Sequence, residues 1–230
     1  MRTRRIFGFL ALVAVLAGVG FGAGRLLFDR LQTEAQAPET SGFTPELQRL
    51  LEEEKQKPRF TGELLGIYIA PTEDQWPEEV RERRREIVAG GCANAPLEQA
   101  RELDFPRPLV LPEGYALAPG YPEAIACGGR VTGINREYTF QASNGLAANV
   151  LIARSVSREA TIDAAADRVI VTTIAGRDAI LVRPVTPDSV MQTSRVIFPE
   201  PFGTTQILAA YLPESDLLEV AEAVAVATKE

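Results

Sequence analysis

Residues 136–155 read REYTFQASNGLAANVLIARS, and this stretch contains the strongest kind of short-range signal for a hairpin. Asn144-Gly145 is a pair that type I′ turns prefer, because both central residues of such a turn need a positive φ. The runs on either side, Arg136–Ala142 and Ala147–Ser155, have the composition of strands. The stretch therefore predicts an antiparallel β-hairpin.

Similar patterns of strands and turns continue toward the C-terminus. The predicted elements there are the strand pair Val169–Ile174 and Asp178–Arg183, the pair Ser194–Phe198 and Thr205–Leu212, and a short helix near Glu159–Asp167. Ala175-Gly176 is the expected turn of the first pair. Successive hairpins of this kind favour an antiparallel sheet.

The last predicted element is a helix over Glu214–Thr228. Its apolar side consists of Leu217, Leu218, Val220, Ala221, Val224 and Ala225. Because a sheet and an amphipathic helix both need to bury an apolar face, the two are expected to pack together. The sequence thus predicts an α+β fold over residues 105–230, with the C-terminal amphipathic helix on one face of an antiparallel sheet.

Residues 44–104 predict a mainly helical segment with one strand. Thr44 is a plausible N-cap with Pro45 at the first helical position, and Leu64–Ile69 has the pattern of a strand. A second helix is expected over Pro77–Val88, ended by Gly90-Gly91. Its arginines alternate with glutamates and are expected to form a solvated face: Arg81, Arg83, Arg84 and Arg85.

The N-terminal part of the chain predicts a membrane anchor. Ile6–Gly24 is uncharged, and as a helix it would be about 28 Å long, close to the hydrocarbon thickness of a bilayer. Arginines precede this run, which favours a cytoplasmic tail over residues 1–5, an anchor over residues 6–28 in contact with membrane lipid, and a spacer over residues 29–43. Everything that follows would be extracytoplasmic.

Two features refine the prediction of the anchor. Its apolar core is longer than that of most signal peptides, which favours retention over cleavage, although Ala35–Ala37 matches a signal-peptidase pattern. Small residues at a spacing of four, Ala14, Gly18 and Gly22, form a stripe on which another membrane helix could pack. The alternative is that small residues are simply common in membrane helices.

Composition excludes several classes of function. The chain contains no histidine, which removes Ser-His-Asp and Cys-His catalysis and histidine-bearing zinc sites. No spacing of carboxylates or lysines marks a catalytic site either, so we expect no enzyme activity, no cofactor and no metal. The formal net charge of −7 disfavours binding to nucleic acid.

Cys92 and Cys127 are the only cysteines. Two thiolates cannot complete a tetrahedral metal site. In an oxidising compartment a disulfide between them is the expected outcome, and two free thiols are the alternative.

Three motifs carry a resemblance to a known family. They are LPEGY at residues 111–115, TIAGRDA at residues 173–179 and LPESDLLEVAEAV at residues 212–224. Over residues 105–227 the chain resembles a bacterial family of uncharacterised extracytoplasmic domains that follow a single membrane helix, including domains of anti-sigma-factor-like envelope proteins. The resemblance implies a fold of strands and a helix, and no catalytic residues. Because only five residues precede the predicted anchor, direct inhibition of a sigma factor is not expected.

These observations favour a non-catalytic binding, sensory or accessory domain of the bacterial envelope, held at the membrane. Its expected partner is a protein or another envelope component. Candidate residues for an interaction surface are Tyr115, Tyr121, Arg130, Arg136 and Tyr138, although tyrosines at strand ends also cap cores. The alternative function is a carrier or sensor that holds a small apolar ligand between sheet and terminal helix.

Overall fold

The computed structural model of the chain describes residues 44–96, 116–117, 124–141, 147–185, 194–201, 203–210 and 212–227. The predicted tail, anchor and spacer therefore lie outside the described residues. The chain divides into two units, Met1–Glu53 and Glu54–Glu230. Every helix in the described part is too short or too polar to cross a bilayer.

The described elements are three helices, twelve strands and two 3₁₀ turns. In chain order they are α1 (Pro45–Gln56), β1 (Gly62–Leu64), β2 (Ile67–Ala70), a 3₁₀ turn (Glu73–Gln75), α2 (Glu78–Val88), β3 (Cys92–Ala95), β4 (Ala116–Leu117), β5 (Ala124–Cys127), β6 (Arg130–Gln141), β7 (Ala147–Ser155), β8 (Glu159–Thr161), a 3₁₀ turn (Ala166–Arg168), β9 (Val169–Ile174), β10 (Arg177–Val182), β11 (Ser194–Glu200), β12 (Gly203–Ala210) and α3 (Glu214–Ala227).

One large antiparallel sheet contains nine of the described strands. Their order is β3-β5-β6-β7-β12-β11-β10-β9, and β4 pairs with β6 beside β5. The predicted hairpin of β6 and β7 is confirmed, with Tyr138 opposite Val150, while its turn at residues 142–146 lies outside the described residues. The predicted pairs β9–β10 and β11–β12 are confirmed as well.

The C-terminal helix α3 packs on one face of this sheet, as predicted. The buried side chains of this first core come from six strands, from Leu212 and from the helix: Tyr138, Val150, Ile152, Ile174, Ala179, Leu181, Val196, Phe198, Ile207, Ala209, Leu212, Leu217, Val220, Ala221, Val224 and Ala225. Full burial of a side chain such as Leu217 stabilises the fold by about 1.5–3 kcal/mol. The α+β class is therefore confirmed.

A second, smaller sheet contributes to another core and was not predicted. It has the order β1-β2-β8, in which β2 and β8 run parallel. Ile67 and Ile69 of this small sheet pack with Ile180, Val182 and Ile197 of the large sheet. Ala179 through Val182 are consequently all buried, because β10 contributes alternate side chains to the two cores.

Two predicted elements of the small sheet were wrong. Leu64–Ile69 forms two strands rather than one, because Leu65 and Gly66 turn the chain with φ of 53° and 74°, which resembles a type I′ turn. The helix predicted over Glu159–Asp167 is the strand β8 followed by a 3₁₀ turn. Ala160, Ile162 and Ala164 all enter the second core, and this spacing of two is that of a strand.

The two helices before β3 follow the prediction with one correction. Thr44 caps α1, since its Oγ1 accepts a hydrogen bond from the backbone nitrogen of Leu47 at 3.2 Å. On α2, Arg81 and Arg85 pair with Glu78 in solvent, as expected for a charged face. Arg84 instead is 8% exposed and donates to Ser157 Oγ at 3.5 Å, so the solvated face does not include it.

The predicted boundary between residues 104 and 105 lies outside the described residues. The segment before it contains three strands, β1 to β3, where one was expected. Of these, β2 pairs with β8 and β3 pairs with β5. Strands from both sides of the predicted boundary therefore form common sheets.

Candidate functional site

Three of the five predicted interaction residues lie in the described part of the chain, all on β6. Tyr115 and Tyr121 lie outside the described residues. Arg130 is exposed at the start of β6, and Arg136 on the same strand is partly buried. Tyr138 is 8% exposed and belongs to the first core, which agrees with the alternative that the tyrosine caps a core. The predicted helix-packing residues Ala14, Gly18 and Gly22 also lie outside the described residues.

The predicted disulfide between Cys92 and Cys127 is present. The two cysteines are directly opposite each other where β3 pairs with β5. Next to the disulfide, the backbone nitrogen of Gly128 donates a hydrogen bond to the carbonyl oxygen of Gly91 at 3.1 Å, so the two chain segments remain in contact there. Described residues 92–95 are thereby held to the sheet both by backbone pairing and by a covalent bond.

A buried cluster of charges surrounds Glu200 at the end of β11. Glu200 Oε1 accepts hydrogen bonds from Thr205 Oγ1 at 2.6 Å, from Arg177 Nη2 at 3.0 Å and from Arg154 Nη2 at 3.2 Å. Arg154 Nε also donates to Thr205 Oγ1 at 2.9 Å. The side chains of Arg154 and Glu200 are each 8% exposed. The arginines thus converge on one carboxylate oxygen.

The alternation of side chains between the two faces of a strand explains how these residues meet. Arg154 follows Val150 and Ile152 on the face of β7 that contributes to the first core, and Glu200 follows Val196 and Phe198 in the same way on β11. The guanidinium of Arg177 lies 4.8 Å from the ring centroid of Phe198, within cation–π range. The charged cluster therefore continues rows of core side chains.

The electrostatics of the cluster keep Glu200 ionised. Burial by itself raises the pKa of Glu200, but the hydrogen bonds from Thr205 and Arg177 and the charges of both arginines outweigh burial, so the pKa is lowered. Burial lowers the pKa of Arg154, which Glu200 partly offsets. A carboxylate with a lowered pKa is a poor general acid or base near neutral pH, so this cluster is suited to holding structure.

Beside this cluster, Arg158 contacts the end of β11, and Gly203 at the start of β12 lies against β7. Arg158 Nη2 donates to the carbonyl oxygens of Glu200 at 3.3 Å and Pro201 at 2.8 Å. A Cβ atom on Gly203 would stand 2.0 Å from the carbonyl oxygen of Ser155, so only glycine allows β12 to approach β7 here. Arg158 therefore holds the end of β11, and close backbone contact with β7 fixes the start of β12.

Glu54 is the centre of another buried group of charges. Its Oε1 accepts from Arg168 Nη1 at 2.8 Å and from the backbone nitrogen of Ala165 at 3.3 Å. Lys57 and Arg59 have nitrogens 3.6 Å and 3.7 Å from the same carboxylate. This group joins Glu54, in the last turn of α1, to the 3₁₀ turn before β9, and its role is structural.

Arg195 on β11 has a different environment from these arginines. Its Nη1 donates to the carbonyl oxygen of Thr161 at 3.3 Å and to Gln206 Oε1 at 3.4 Å. Both acceptors are neutral, and among the described residues no carboxylate lies within ion-pair distance of Arg195. Burial lowers the pKa of Arg195 to about 10. Within the described part of the chain, the hydrogen bonds of this guanidinium are therefore to neutral acceptors.

Sequence reasoning missed these buried charges, although a signal was available. Arg154, Glu200 and Arg195 each stand two residues from an apolar residue that the strand alternation assigns to a core: Ile152, Phe198 and Ile197. A charged residue on the core-facing side of a strand is unusual, because charges are rarely buried without partners.

Comparison with known protein families, curated proteins and solved structures finds no match for this chain.

Proposed function

We propose that this chain is a non-catalytic binding domain of the bacterial envelope, held at the membrane by residues 6–28 and exposed outside the cytoplasm. Its partner is a protein or another envelope component, and its role is sensory or accessory. The resemblance of residues 105–227 to extracytoplasmic domains is one support for this proposal. The single observation that carries it is the disulfide between Cys92 and Cys127.

A structural disulfide favours an oxidising compartment as the location of the domain. Such bonds persist in oxidising environments and are rare in the cytosol, where thiols are kept reduced. Cys92 and Cys127 are paired across neighbouring strands, so they bond without any rearrangement of the sheet. An anchor preceded by arginines would deliver the domain to the oxidising side of the membrane. It would also raise the effective concentration of the domain against partners in the membrane.

The chemistry of the buried carboxylates supports binding over catalysis. The pKa of Glu200 is lowered, and Glu54 is surrounded by cations. No histidine is available anywhere in the sequence to serve as a base near neutral pH. Glu200 is therefore poorly suited to proton transfer near neutral pH.

The interface between α3 and the sheet supports surface binding over transport of an apolar ligand. Ala221 and Ala225 of the helix and Ala179 of the sheet are all 0% exposed in this interface. Small residues let a helix and a sheet approach closely, which reduces the space for a ligand between them. A carrier would need a cavity of several hundred cubic ångströms.

The test combines topology with the state of the thiols. A reporter enzyme that is active only outside the cytoplasm is fused to the C-terminus of the full chain in a bacterial host. We expect reporter activity, recovery of the protein with the membrane fraction, and labelling of the two cysteines by a thiol reagent only after reduction. A matched fusion that lacks residues 1–28 should lose reporter activity.

Two results would contradict the proposal. One is activity of a cytoplasmic reporter at the same position, and the other is immediate thiol labelling of the native protein. The partner itself is sought by crosslinking the full chain in its native membrane and identifying attached proteins. Cys92→Ser with Cys127→Ser is the control for disulfide-linked artefacts.

A further inference from the structure

The disulfide between Cys92 and Cys127 joins two sulfurs with different surroundings. Cys127 is 3% exposed and lies on β5, which has β3 on one side and β6 on the other. Cys92 is partly exposed and lies on β3, the strand at one end of the described sheet. A thiol that arrives from solvent therefore reaches the Cys92 side of the bond more easily.

Thr132 of β6 adds a second difference between the two sulfurs. It is 7% exposed, and its Oγ1 lies 3.3 Å from Cys127 Sγ and 3.4 Å from the carbonyl oxygen of Ile125. The hydroxyl has one hydrogen, which rotates to suit its acceptors. Hydrogen bonds to ionised groups are stronger than those between neutral groups. Thr132 therefore stabilises Cys127 Sγ once this sulfur carries negative charge.

The order of the strands sets the direction from which each sulfur can be attacked. In thiol–disulfide exchange a thiolate attacks one sulfur and displaces the other, and the attack is in line with the breaking bond. Such an approach to Cys92 comes from the outer side of β3. The approach to Cys127 comes from the side of β6, where Thr132 Oγ1 is already 3.3 Å from the sulfur. Attack at Cys92 is therefore favoured.

We propose that Cys92 Sγ is the sulfur at which an external dithiol reductant opens this disulfide, and that Cys127 is the leaving thiolate. The first thiolate of the reductant bonds to Cys92 Sγ as the bond between Cys92 and Cys127 breaks. The electron pair of the broken bond goes to Cys127 Sγ, which accepts the hydrogen bond of Thr132. The second thiolate of the reductant then attacks the reductant's first sulfur and releases Cys92.

The two steps together transfer two electrons. The reductant loses two protons and becomes a disulfide, while Cys92 and Cys127 gain the two electrons and two protons and become thiols. The covalent link between β3 and β5 is then lost, and their backbone pairing remains. This inference rests on the proposed function and deepens it, since it names a dithiol as one class of partner and Cys92 as the residue that this partner attacks.

The experiment identifies the attacked sulfur in the oxidised full-length protein in mild detergent. Glutathione is the probe, because its single thiol leaves the mixed disulfide in place. The reaction is quenched with acid at low conversion, the freed thiol is alkylated, and the peptides are identified by mass spectrometry. We expect glutathione on Cys92 and the alkyl group on Cys127. Equal amounts on the two cysteines, glutathione mainly on Cys127, or no reaction in the folded protein would overturn the assignment.

Variants of Thr132 test the leaving group through the rate of reduction by dithiothreitol. Thr132→Val keeps the shape of the side chain without the hydroxyl. It should slow reduction roughly threefold to tenfold, because part of a hydrogen bond to a charged sulfur is lost in the transition state. Thr132→Ser keeps the hydroxyl and should restore most of the rate. Thr173→Val is the matched control, since it makes the same change at an exposed position of β9, and it should leave the rate unchanged.

The sign of the effect separates this role of Thr132 from a purely structural one. If Thr132 only held the strands together, Thr132→Val would loosen them, expose the disulfide and speed its reduction. Faster or unchanged reduction of Thr132→Val would therefore contradict the role of Thr132 at the leaving sulfur. Because these experiments use purified, oxidised protein, their failure is distinct from a failure of the reporter experiment, which tests the location of the domain.

Discussion

Arg154 and Glu200 form an ion pair at 3.2 Å across an intervening strand, with each side chain 8% exposed. Arg154 lies on β7 and Glu200 on β11, and β12 runs between them. Thr205 of β12 connects the two, because it accepts from Arg154 and donates to Glu200. Three neighbouring strands are thus joined by side chains in addition to their backbone hydrogen bonds.

Glu200→Gln should destabilise the protein by about 3 kcal/mol, since removing one partner of a buried pair leaves an uncompensated charge. Here two arginines, Arg154 and Arg177, would lose their shared carboxylate. Unfolding in urea measures the change. Glu53→Gln is the control, because Glu53 is 54% exposed, and it should change stability by less than about 0.5 kcal/mol. A loss for Glu200→Gln no larger than that of the control would contradict the role of the cluster.

The same carboxylate should make stability depend on acid. Because the pKa of Glu200 is lowered from 4.5 in the folded protein, its contribution is present in full above that value and is lost as pH falls through the folded pKa. Urea unfolding of the unaltered protein and of Glu200→Gln is compared between neutral pH and pH about 3. The difference between the two should shrink as pH falls below 4.5. A constant difference would show that the ionised carboxylate is not its source.

Removal of the disulfide should cost about 4 kcal/mol in the chain-entropy treatment for a loop of this size. The double variant Cys92→Ser with Cys127→Ser closes no loop between residues separated by 35 positions. Unfolding is measured with and without reductant. Reductant should destabilise the unaltered protein to the level of the double variant and leave the variant unchanged. Equal stability of the oxidised and reduced protein would contradict a structural role for the bond.

Ala221→Leu should destabilise the protein by about 1–3 kcal/mol, because added methylenes do not fit a filled interface. Ala221 is 0% exposed between α3 and the sheet. Ala223 on the same helix is partly exposed, and Ala223→Leu serves as the matched control with a smaller expected loss. Thermal unfolding measures both. If the larger side chain in Ala221→Leu were accommodated without loss, a cavity would be present and the carrier function would gain support.

Ala175→Asn should stabilise the β9–β10 hairpin by about 0.5–1 kcal/mol. Ala175 has φ of 48° and Gly176 has φ of 75°, so the turn holds alanine in the left-handed region, which asparagine tolerates better. Ala175→Val is the opposite control, since a β-branched residue is strained there, and it should lower stability. Both changes are measured by urea unfolding. A stabilising Val variant would be inconsistent with this backbone conformation.

The hairpins could be predicted because their signals are local. Asn144-Gly145 and Ala175-Gly176 are turn signals in the sequence, each close to the two strands that it separates, so the pairing of those strands can be predicted from neighbouring residues. The small sheet could not be predicted in the same way. β2 pairs in parallel with β8 across a long connection, and nothing near Tyr68 indicates that Glu159 will lie opposite it.

The helix predicted over Glu159–Asp167 shows the same limit. Ala160, Ile162 and Ala164 are buried at the spacing of two residues that is typical of a strand. Alanine also favours helices, however, and in so short a segment the hydrophobic pattern does not distinguish a strand from a helix. In the folded protein the first part of this segment is a strand because it pairs with β2. Arg84 was misjudged for a related reason, because its neighbours on α2 are solvated whereas Arg84 is buried and contacts Ser157.

Local patterns along the chain were sufficient to predict the α+β class, the succession of hairpins, the terminal helix that covers one face, and the two cysteines available for pairing. These properties depend on the pattern of apolar and polar residues, on turn residues and on composition, all of which are properties of the linear sequence. Three further features became visible only in the folded chain: a second sheet helps to enclose the other core, Arg154 and Arg177 share Glu200, and Arg195 has no carboxylate within ion-pair distance among the described residues. The cost or benefit of a buried charge depends on which groups the fold brings within a few ångströms, and sequence order does not fix those distances.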